Sequence, residues 1–213
     1  MEVLSISLTR VSQATWDWIS RGRVCIPPGL ELSFQRFARP EKNVIGSVPS
    51  SLGALPIGLG AAHALVLPLA DNEAFWIGLR GVSSSSQITL AVAVELENAE
   101  LLDAISGKMW DAGRPSKLSI SDTPLIAGIR RPDGQWKVFA RKTSDSADSP
   151  CFRLLFKVNA ECVNGGDQLT PTSATTRLVA LNIVDYAAFV AETGQPPPNS
   201  LDLNAGYKGW RLP

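Results

Sequence analysis

The sequence predicts a mainly β protein, an antiparallel two-sheet sandwich or jelly-roll-like fold with about three short helices. Three observations support this prediction. Apolar and polar side chains alternate with a period of two along much of the chain, segments of this kind outnumber helical ones, and strands do not alternate regularly with helices. The last observation disfavours a doubly wound α/β fold, which needs that alternation.

The first strands are predicted near the N-terminus, over residues 3–8, 23–27 and 30–35. In the third of these segments Leu30, Leu32 and Phe34 alternate with polar residues, as expected for a half-buried strand of an antiparallel sheet. Alternation or short apolar runs predict the further strands 62–69, 75–79, 88–96, 125–130, 136–141, 152–158 and 176–184.

The segment IRRPDGQW, residues 129–136, predicts a hairpin. Pro132 and Asp133 suit a type I turn, and Gly134 suits the left-handed position that follows it. A second turn is expected at Asp71 and Asn72, whose side chains bond readily to nearby backbone. We expect that turn to join the strands 62–69 and 75–79 as a hairpin.

Three short helices are predicted from their start and stop residues. Each begins after a residue that can cap a helix N-terminus and ends near a glycine that can end a helix in the left-handed conformation. The predicted helices are 13–21, capped by Ser12 and followed by Gly22; 99–106, capped by Asn98 and followed by Gly107; and 186–193, capped by Asp185 and followed by Gly194.

The chain of 213 residues is expected to form a single globular domain, 1–213, because the polar segment 143–150 is explained as well by a surface loop as by a linker. The 20 basic residues equal the 20 acidic ones, so the overall charge does not favour nucleic acid as a partner. Three widely spaced cysteines match neither a disulfide framework nor a zinc site. With no signal-peptide pattern at the N-terminus, they indicate a cytoplasmic protein.

A run without formal charge lies between Lys42 and Asp71. It is long enough to cross a bilayer, but several prolines and glycines interrupt it, so a membrane segment is not expected. The sequence leaves open whether residues 43–70 are buried within the monomer or at an interface. Within the run, residues 58–63 match the dinucleotide fingerprint only in part, and no cofactor is predicted.

Catalytic chemistry has little support in this sequence. The single histidine, His63, lies in an apolar run, which argues against histidine-based metal sites and catalytic triads, and no metal is predicted. A pair of carboxylates, as in glycoside hydrolysis, is the remaining option. Asp71 and Glu73 are the candidate catalytic residues, beside a tryptophan that could stack on a sugar.

Six tryptophans suggest a stacking surface, because an indole offers a large rigid face and one hydrogen-bond donor. For Trp76 and Trp136, which lie inside predicted strands, filling the core is the favoured role, and Trp76 remains a ligand candidate if its face is open. Trp110 and Trp210 lie in loops rich in glycine and polar residues, where an aromatic residue either packs back onto the body or binds a ligand. The candidate ligand-binding residues are Trp18, Trp76, Trp110, Tyr207 and Trp210.

Three functions are compatible with these observations. The favoured one is a non-enzymatic binding or interaction module that uses aromatic residues to hold a carbohydrate-like or other small polar ligand, or a protein partner. The second is a carboxylate-dependent, glycosidase-like hydrolase. The third is a structural or assembly protein, for example a homo-oligomer, that packs its uncharged region against neighbouring subunits.

Overall fold

A computed structural model of the chain describes residues 19–20, 22–27, 29–60, 64–81, 86–96, 99–120, 125–141, 151–162 and 174–201. The described part contains fifteen strands and one helix, and is mainly β as predicted. In chain order they are β1 Ile19–Ser20, β2 Arg23–Ile26, β3 Leu30–Ala38, β4 Val44–Ile45, β5 Gly58–Leu59, β6 Leu65–Pro68, β7 Glu73–Gly81, β8 Ser86–Leu96, β9 Leu101–Asp103, β10 Leu118–Ser119, β11 Leu125–Ile126, β12 Ile129–Arg130, β13 Trp136–Lys137, β14 Cys151–Cys162, β15 Ala174–Val184 and α1 Tyr186–Thr193.

The first sheet has five antiparallel strands in the order β1-β2-β3-β7-β11. Its long central pair, β3 and β7, follows the predicted alternation. Leu32 and Phe34 of β3 are buried, as are Phe75, Ile77 and Leu79 of β7. The residues between them point to the opposite face of the sheet, because successive side chains on a strand alternate in direction.

The second sheet has seven strands in the order β10-β8-β14-β15-β6-β5, and β9 also pairs with β8. The pairing of β8 with β14 and of β14 with β15 is antiparallel. The pair β6 and β15 is parallel, so the all-antiparallel prediction is wrong at this position. Two parallel strands need a long crossover, and here about half of the chain, residues 69–173, lies between them.

A three-stranded sheet, in the order β12-β13-β4, contains the predicted hairpin. Arg130 pairs with Trp136, and the N–H of Gly134 donates to the carbonyl of Arg131 at 3.1 Å. Gly134 has a φ of 86°, the left-handed conformation expected from its position. The hairpin prediction is therefore confirmed, although its strands are shorter than predicted.

The main core contains buried residues from both large sheets. The ring of Phe34, on β3, lies 6.3 Å from that of Phe156, on β14, and also contacts Phe75 edge to face at 5.8 Å. Phe75 in turn stacks on Phe139 at 5.3 Å. A smaller apolar cluster of Phe37, Ala74, Val138 and Ala140 lies apart from this core.

Of the three predicted helices, only the one at residues 186–193 is present as predicted. The Asp185 side chain accepts a hydrogen bond from the N–H of Ala188, and Gly194 ends the helix with a φ of 67°. The prediction of a helix at 99–106 is wrong, because Leu101–Asp103 form β9, which pairs with β8. The helix at 13–21 is wrong at Ile19 and Ser20, which form β1, while residues 13–18 and 21 lie outside the described residues, as does the predicted strand 3–8.

The turn at Asp71 and Asn72 is confirmed, since the N–H of Glu73 donates to the carbonyl of Ala70 at 3.1 Å. The hairpin expected around it is wrong. β6 belongs to the seven-stranded sheet and β7 to the five-stranded sheet, so the turn carries the chain from one sheet to the other. A turn fixes the change of direction but not the partner of the strand that follows it.

The uncharged region is buried within the chain at strands β5 and β6, and half-buried at β4. All four residues of β6 are buried, and so are Leu55, Ile57 and Leu59 before it. Within the described ranges, no helix has the length and apolar character needed to cross a membrane. The apolar side chains from Leu55 to Leu69 therefore contribute to the core of the same molecule, whereas Val48 is exposed.

Candidate ligand-binding groove

A groove of about 280 Å³ lies on the outer face of the five-stranded sheet. Its floor is formed by cross-strand pairs between β3 and β7, on the face opposite the main core. Because each strand alternates, the same sequence pattern that buries Phe34 and Phe75 turns the intervening residues toward this groove. The pairs are Glu31 with Arg80, Ser33 with Gly78, and Gln35 with Trp76, and Arg23 of β2 lies beside Ser33. We call this the Trp76 groove.

Gly78 makes room at the centre of the groove. A Cβ at this position would lie 2.6 Å from Oγ of Ser33 and 3.4 Å from Cζ3 of Trp76. The hydroxyl and one edge of the indole therefore both lie over Gly78. A Cβ here would force the Ser33 hydroxyl to move, and it would touch the ring at an ordinary contact distance.

Trp76 is half-buried and held in place. Its Nε1 donates to the carbonyl of Pro49 at 3.2 Å, and its ring contacts the smaller apolar cluster that includes Phe37 and Ala74. Anchoring one edge of the indole fixes the orientation of the rest. A ring held in this way binds a ligand with little loss of side-chain entropy.

Polar side chains with fixed partners surround the indole. The hydroxyl of Ser51 donates to Oε1 of Gln35 at 2.7 Å, which orients the Gln35 amide. Oε2 of Glu31 lies 3.4 Å from Nη1 of Arg23 and 3.7 Å from Nη1 of Arg80. The partial burial of the neighbouring Cys25 thiol, and then the negative charge of Glu31, raise the pKa of that thiol. Cys25 is therefore protonated at neutral pH.

Glu73, a candidate catalytic residue, lies on the other face of β7 and is fully buried. The hydroxyl of Tyr186 lies 2.8 Å from both carboxylate oxygens, and Nη1 of Arg36 donates to Oε1 at 3.2 Å. The N–H of Ala70 donates to Oε2 at 3.1 Å. Glu73 and Trp76 therefore cannot face one common site, and the structure gives Glu73 bonds that hold elements together.

Asp71, the other candidate catalytic residue, lies in the exposed turn two residues earlier. It forms an ion pair with Arg141, which also approaches Asp185 at 3.7 Å. Asp71 and Glu73 do not face each other across a cleft: one carboxylate is in solvent and the other is enclosed by three donor groups.

A second cavity, of about 410 Å³, lies near α1, where β8 and β15 end and β14 begins. Its wall is largely apolar. Of its charged residues, Arg141 approaches Asp185, and Glu95 pairs with Arg153 outside the lining. Glu95 accepts from Arg153 at 3.2 Å, and burial raises the pKa of the Cys151 thiol far above its usual range. The lining residues include Glu95, Leu96, Arg141, Phe152, Ile183 and Asp185.

The other aromatic candidates lie elsewhere. Trp110 is half-buried beside β9, where its backbone N–H donates to the carbonyl of Leu101 at 2.8 Å. It is not among the described residues that line the Trp76 groove. Trp18, Tyr207 and Trp210 lie outside the described residues. Trp136 is half-buried on β13, with the guanidinium of Arg130 stacked 4.8 Å above its ring.

Within the described residues, no three histidine, cysteine, aspartate or glutamate side chains are grouped so that they could hold a metal ion. Comparisons of the chain with protein-family models, with curated proteins and with solved structures find no match in any of the three. The function has to be argued from the geometry of the site, because a fold class alone hosts many functions.

Sequence reasoning identified Trp76 as a candidate but missed the groove around it. The groove residues that were not identified are polar and lie at alternate positions of two strands that were both predicted. The alternation therefore already indicated that they share one face of the sheet. What the sequence did not provide is the pairing register, which brings Glu31 to Arg80 and Ser33 to Gly78. Arg36 and Tyr186 were missed as partners of Glu73 for the same reason, since they lie 37 and 113 residues away in the chain.

Proposed function

We propose that the protein is a non-enzymatic binding module and that the Trp76 groove holds a small, ring-shaped polar ligand of the carbohydrate class. The observation that carries this proposal is the fixed indole of Trp76 beside Gly78, where only the small Ser33 hydroxyl covers the floor of the groove next to the ring. A sugar ring has an apolar face and a polar rim. An indole with polar neighbours complements both, because the ring stacks on the apolar face and the neighbours bond to the hydroxyls.

The polar side chains of the groove supply both kinds of hydrogen-bonding group. Gln35 has an amide donor and an acceptor, Ser33 has a hydroxyl that does both, and Glu31 accepts. Sugar hydroxyls also donate and accept, so this set can pair with them in several orientations. The groove is open to solvent, so a ligand can enter and leave it directly.

We also propose how the sheets are arranged and where in the cell the protein is located. The two large sheets form a two-sheet sandwich within one domain, which the contact of Phe34 with Phe156 and their common core support. A cytoplasmic location is supported by the free thiols of Cys25 and Cys151.

The alternative functions have less support in the geometry. A carboxylate-dependent hydrolase needs two carboxyl groups on either side of a bound sugar, whereas Glu73 is buried in a set of internal bonds and Asp71 lies in an exposed turn. An assembly protein that uses the uncharged region needs apolar side chains at its surface. Those of Leu55, Ile57 and Leu65 are buried within the chain.

Isothermal titration calorimetry with a panel of neutral and acidic mono- and oligosaccharides tests the proposal. We expect saturable binding of at least one sugar, and a loss of at least tenfold in affinity in Trp76→Ala and in Gly78→Ala. Trp110→Ala and Gly81→Ala are the matched controls. A Cβ at Gly81 meets its nearest neighbour, Ile120, at an ordinary contact distance of 3.6 Å.

Two results would contradict this proposal. One is the absence of binding to every sugar of the panel at millimolar concentration. The other is binding that Trp76→Ala leaves unchanged. Thermal unfolding of each variant, followed by circular dichroism, checks that a lost affinity is not the result of a lost fold.

A further inference from the structure

The Trp76 groove carries more positive than negative charge. Among the described residues that line it are two arginines, Arg23 and Arg80, and one carboxylate, Glu31. The chain as a whole has as many acidic as basic residues, so this local excess departs from the average of the molecule. The second cavity has the opposite balance, with Glu95 and Asp185 against Arg141.

Glu31 neutralises the two guanidinium groups only in part. Both approach the same oxygen, Oε2, each through a single nitrogen at 3.4 and 3.7 Å. These contacts lack the two parallel bonds of a bidentate arginine–carboxylate pair, which is the strong form of the interaction. The arginine side chains are 52% and 67% exposed, against 18% for Glu31. Most of their N–H donors therefore face solvent above the groove.

The spacing of these groups suits one ring with one charged substituent. Arg80 follows Trp76 by four residues on β7, with only Gly78 between them on the same face. Alternate residues of a strand are about 7 Å apart, so Trp76 and Arg80 lie about 13 Å apart along β7. Between them the surface is low, because only the Ser33 hydroxyl and one edge of the indole cover Gly78. A sugar ring that stacks beside the indole and over Gly78 therefore directs a substituent at its far side toward Arg80 and Arg23.

We propose that the groove selects a sugar ring that carries an anionic group, with the uronic acids as the chemical class. This inference rests on the proposed function, because it assumes that Trp76 stacks on a sugar. A carboxylate matches the planar fork of a guanidinium and accepts two parallel bonds from it. The bound carboxylate accepts hydrogen bonds from Arg23 and Arg80, which share Glu31 as their one acidic partner among the described residues.

The test compares galacturonate with galactose by isothermal titration calorimetry, since the two sugars share the same ring and differ in the carboxylate. We expect galacturonate to bind at least tenfold more tightly in low salt and to lose most of that advantage in 0.5 M NaCl, because exposed charges are screened. Galactose 6-sulfate and galactose 6-phosphate separate a carboxylate from other anions. We expect both to bind more weakly than galacturonate and more tightly than galactose.

Variants assign the effect to the arginines. Arg80→Gln and Arg23→Gln are each expected to lower galacturonate affinity at least fivefold and to change galactose affinity by less than twofold. Glu31→Gln is expected to raise the ratio of the galacturonate to the galactose affinity. Arg131→Gln is the matched control, because Arg131 also forms an exposed ion pair, with Asp133, outside the groove.

The outcomes separate this inference from the proposed function. Equal affinities for galacturonate and galactose, or a preference that survives high salt or both arginine substitutions, overturn the anionic selectivity while the sugar-binding function stands. A sulfate or phosphate sugar that binds more tightly than galacturonate overturns the choice of uronic acids. Failure of every sugar to bind overturns both proposals.

Discussion

Two buried carboxylates, Glu73 and Asp103, are stabilised in different ways. Glu73 bonds mainly to side chains from distant elements, Arg36 on β3 and Tyr186 on α1. Asp103, at the end of β9, bonds to backbone N–H groups. Its Oδ1 accepts from Ile105 and Ser106 at 2.9 and 3.0 Å, and its Oδ2 accepts from Ser116 at 2.8 Å.

The difference shows how one chemical group can serve two structural roles. Asp103 organises the loop that follows it, and two of its three donors lie within three residues. Glu73 joins the five-stranded sheet to α1. Through Arg36, which also donates to the carbonyl of Asn199 at 2.7 Å, it holds the segment after the helix as well. Glu73 should therefore matter to the whole fold, and Asp103 mainly to one region.

The largest effect is expected from Glu73→Ala. Removing this carboxylate leaves the guanidinium of Arg36, whose side chain is only 12% exposed, without its counter-charge. Removing one partner of a buried ion pair lowers the free energy of unfolding by about 3–5 kcal/mol. Urea denaturation measures this, and Asp71→Ala is the control, since its exposed ion pair should contribute about 1 kcal/mol or less. Equal losses in the two variants would show that Glu73 does not join these elements.

A smaller effect is expected from Asp103→Asn. The new amide keeps one acceptor oxygen, but its NH₂ group faces a backbone N–H, so one buried donor loses its partner at a cost of about 2 kcal/mol. Asp111→Asn is the matched control. Asp111 also accepts hydrogen bonds from two backbone N–H groups, those of Gly113 and Arg114, but its side chain is exposed. Asp111→Asn should therefore lower the free energy of unfolding by about 0.5 kcal/mol or less. Hydrogen exchange should locate the Asp103→Asn effect in residues 104–116, and protection lost across both sheets would contradict a local role.

The smallest of the three effects is expected from Tyr186→Phe, and it depends on pH. A hydrogen bond to a charged group contributes about 1.5 kcal/mol. Burial, and then the bond to Glu73 and its charge, raise the pKa of Tyr186 from 10.0 to about 12. The folded state therefore holds this proton more strongly than the unfolded state, and the stabilisation decreases as pH rises from about 10 to about 12.

Chemical denaturation of the wild type and Tyr186→Phe at pH 8 and at pH 11 checks this dependence. The difference in unfolding free energy between the two proteins should be smaller at pH 11. Lysines titrate in the same range but are the same in both proteins, so their contribution cancels. A constant difference at the two pH values would show that the hydroxyl is not held by Glu73.

The features that could be predicted from the sequence are those whose partners are close in the chain. Helix α1 was predicted to the residue because Asp185 and Gly194 act on the backbone beside them. The hairpin at Gly134 depends on a few residues in the same way. The predicted helix at 99–106 failed because β8 offers Leu101–Asp103 a strand partner, and tertiary pairing overrides a weak local helix signal.

The candidate site could be predicted only in part, and for the same physical reason. Trp76 has a recognisable chemistry of its own, but the groove depends on which residues of β3 stand opposite those of β7, a property of register and not of composition. Glu73 was a candidate because of its residue type. Its burial depends on Arg36 and Tyr186, which no local pattern connects to it.

The parallel pairing of β6 with β15 also has a consequence for the way the chain is made. Leu65 pairs with Leu181, which is synthesised more than a hundred residues later. A ribosome needs on the order of ten seconds to add a hundred residues. During this time the four apolar residues of β6 have no neighbour on that side. The seven-stranded sheet can therefore be completed only after β15 has been synthesised.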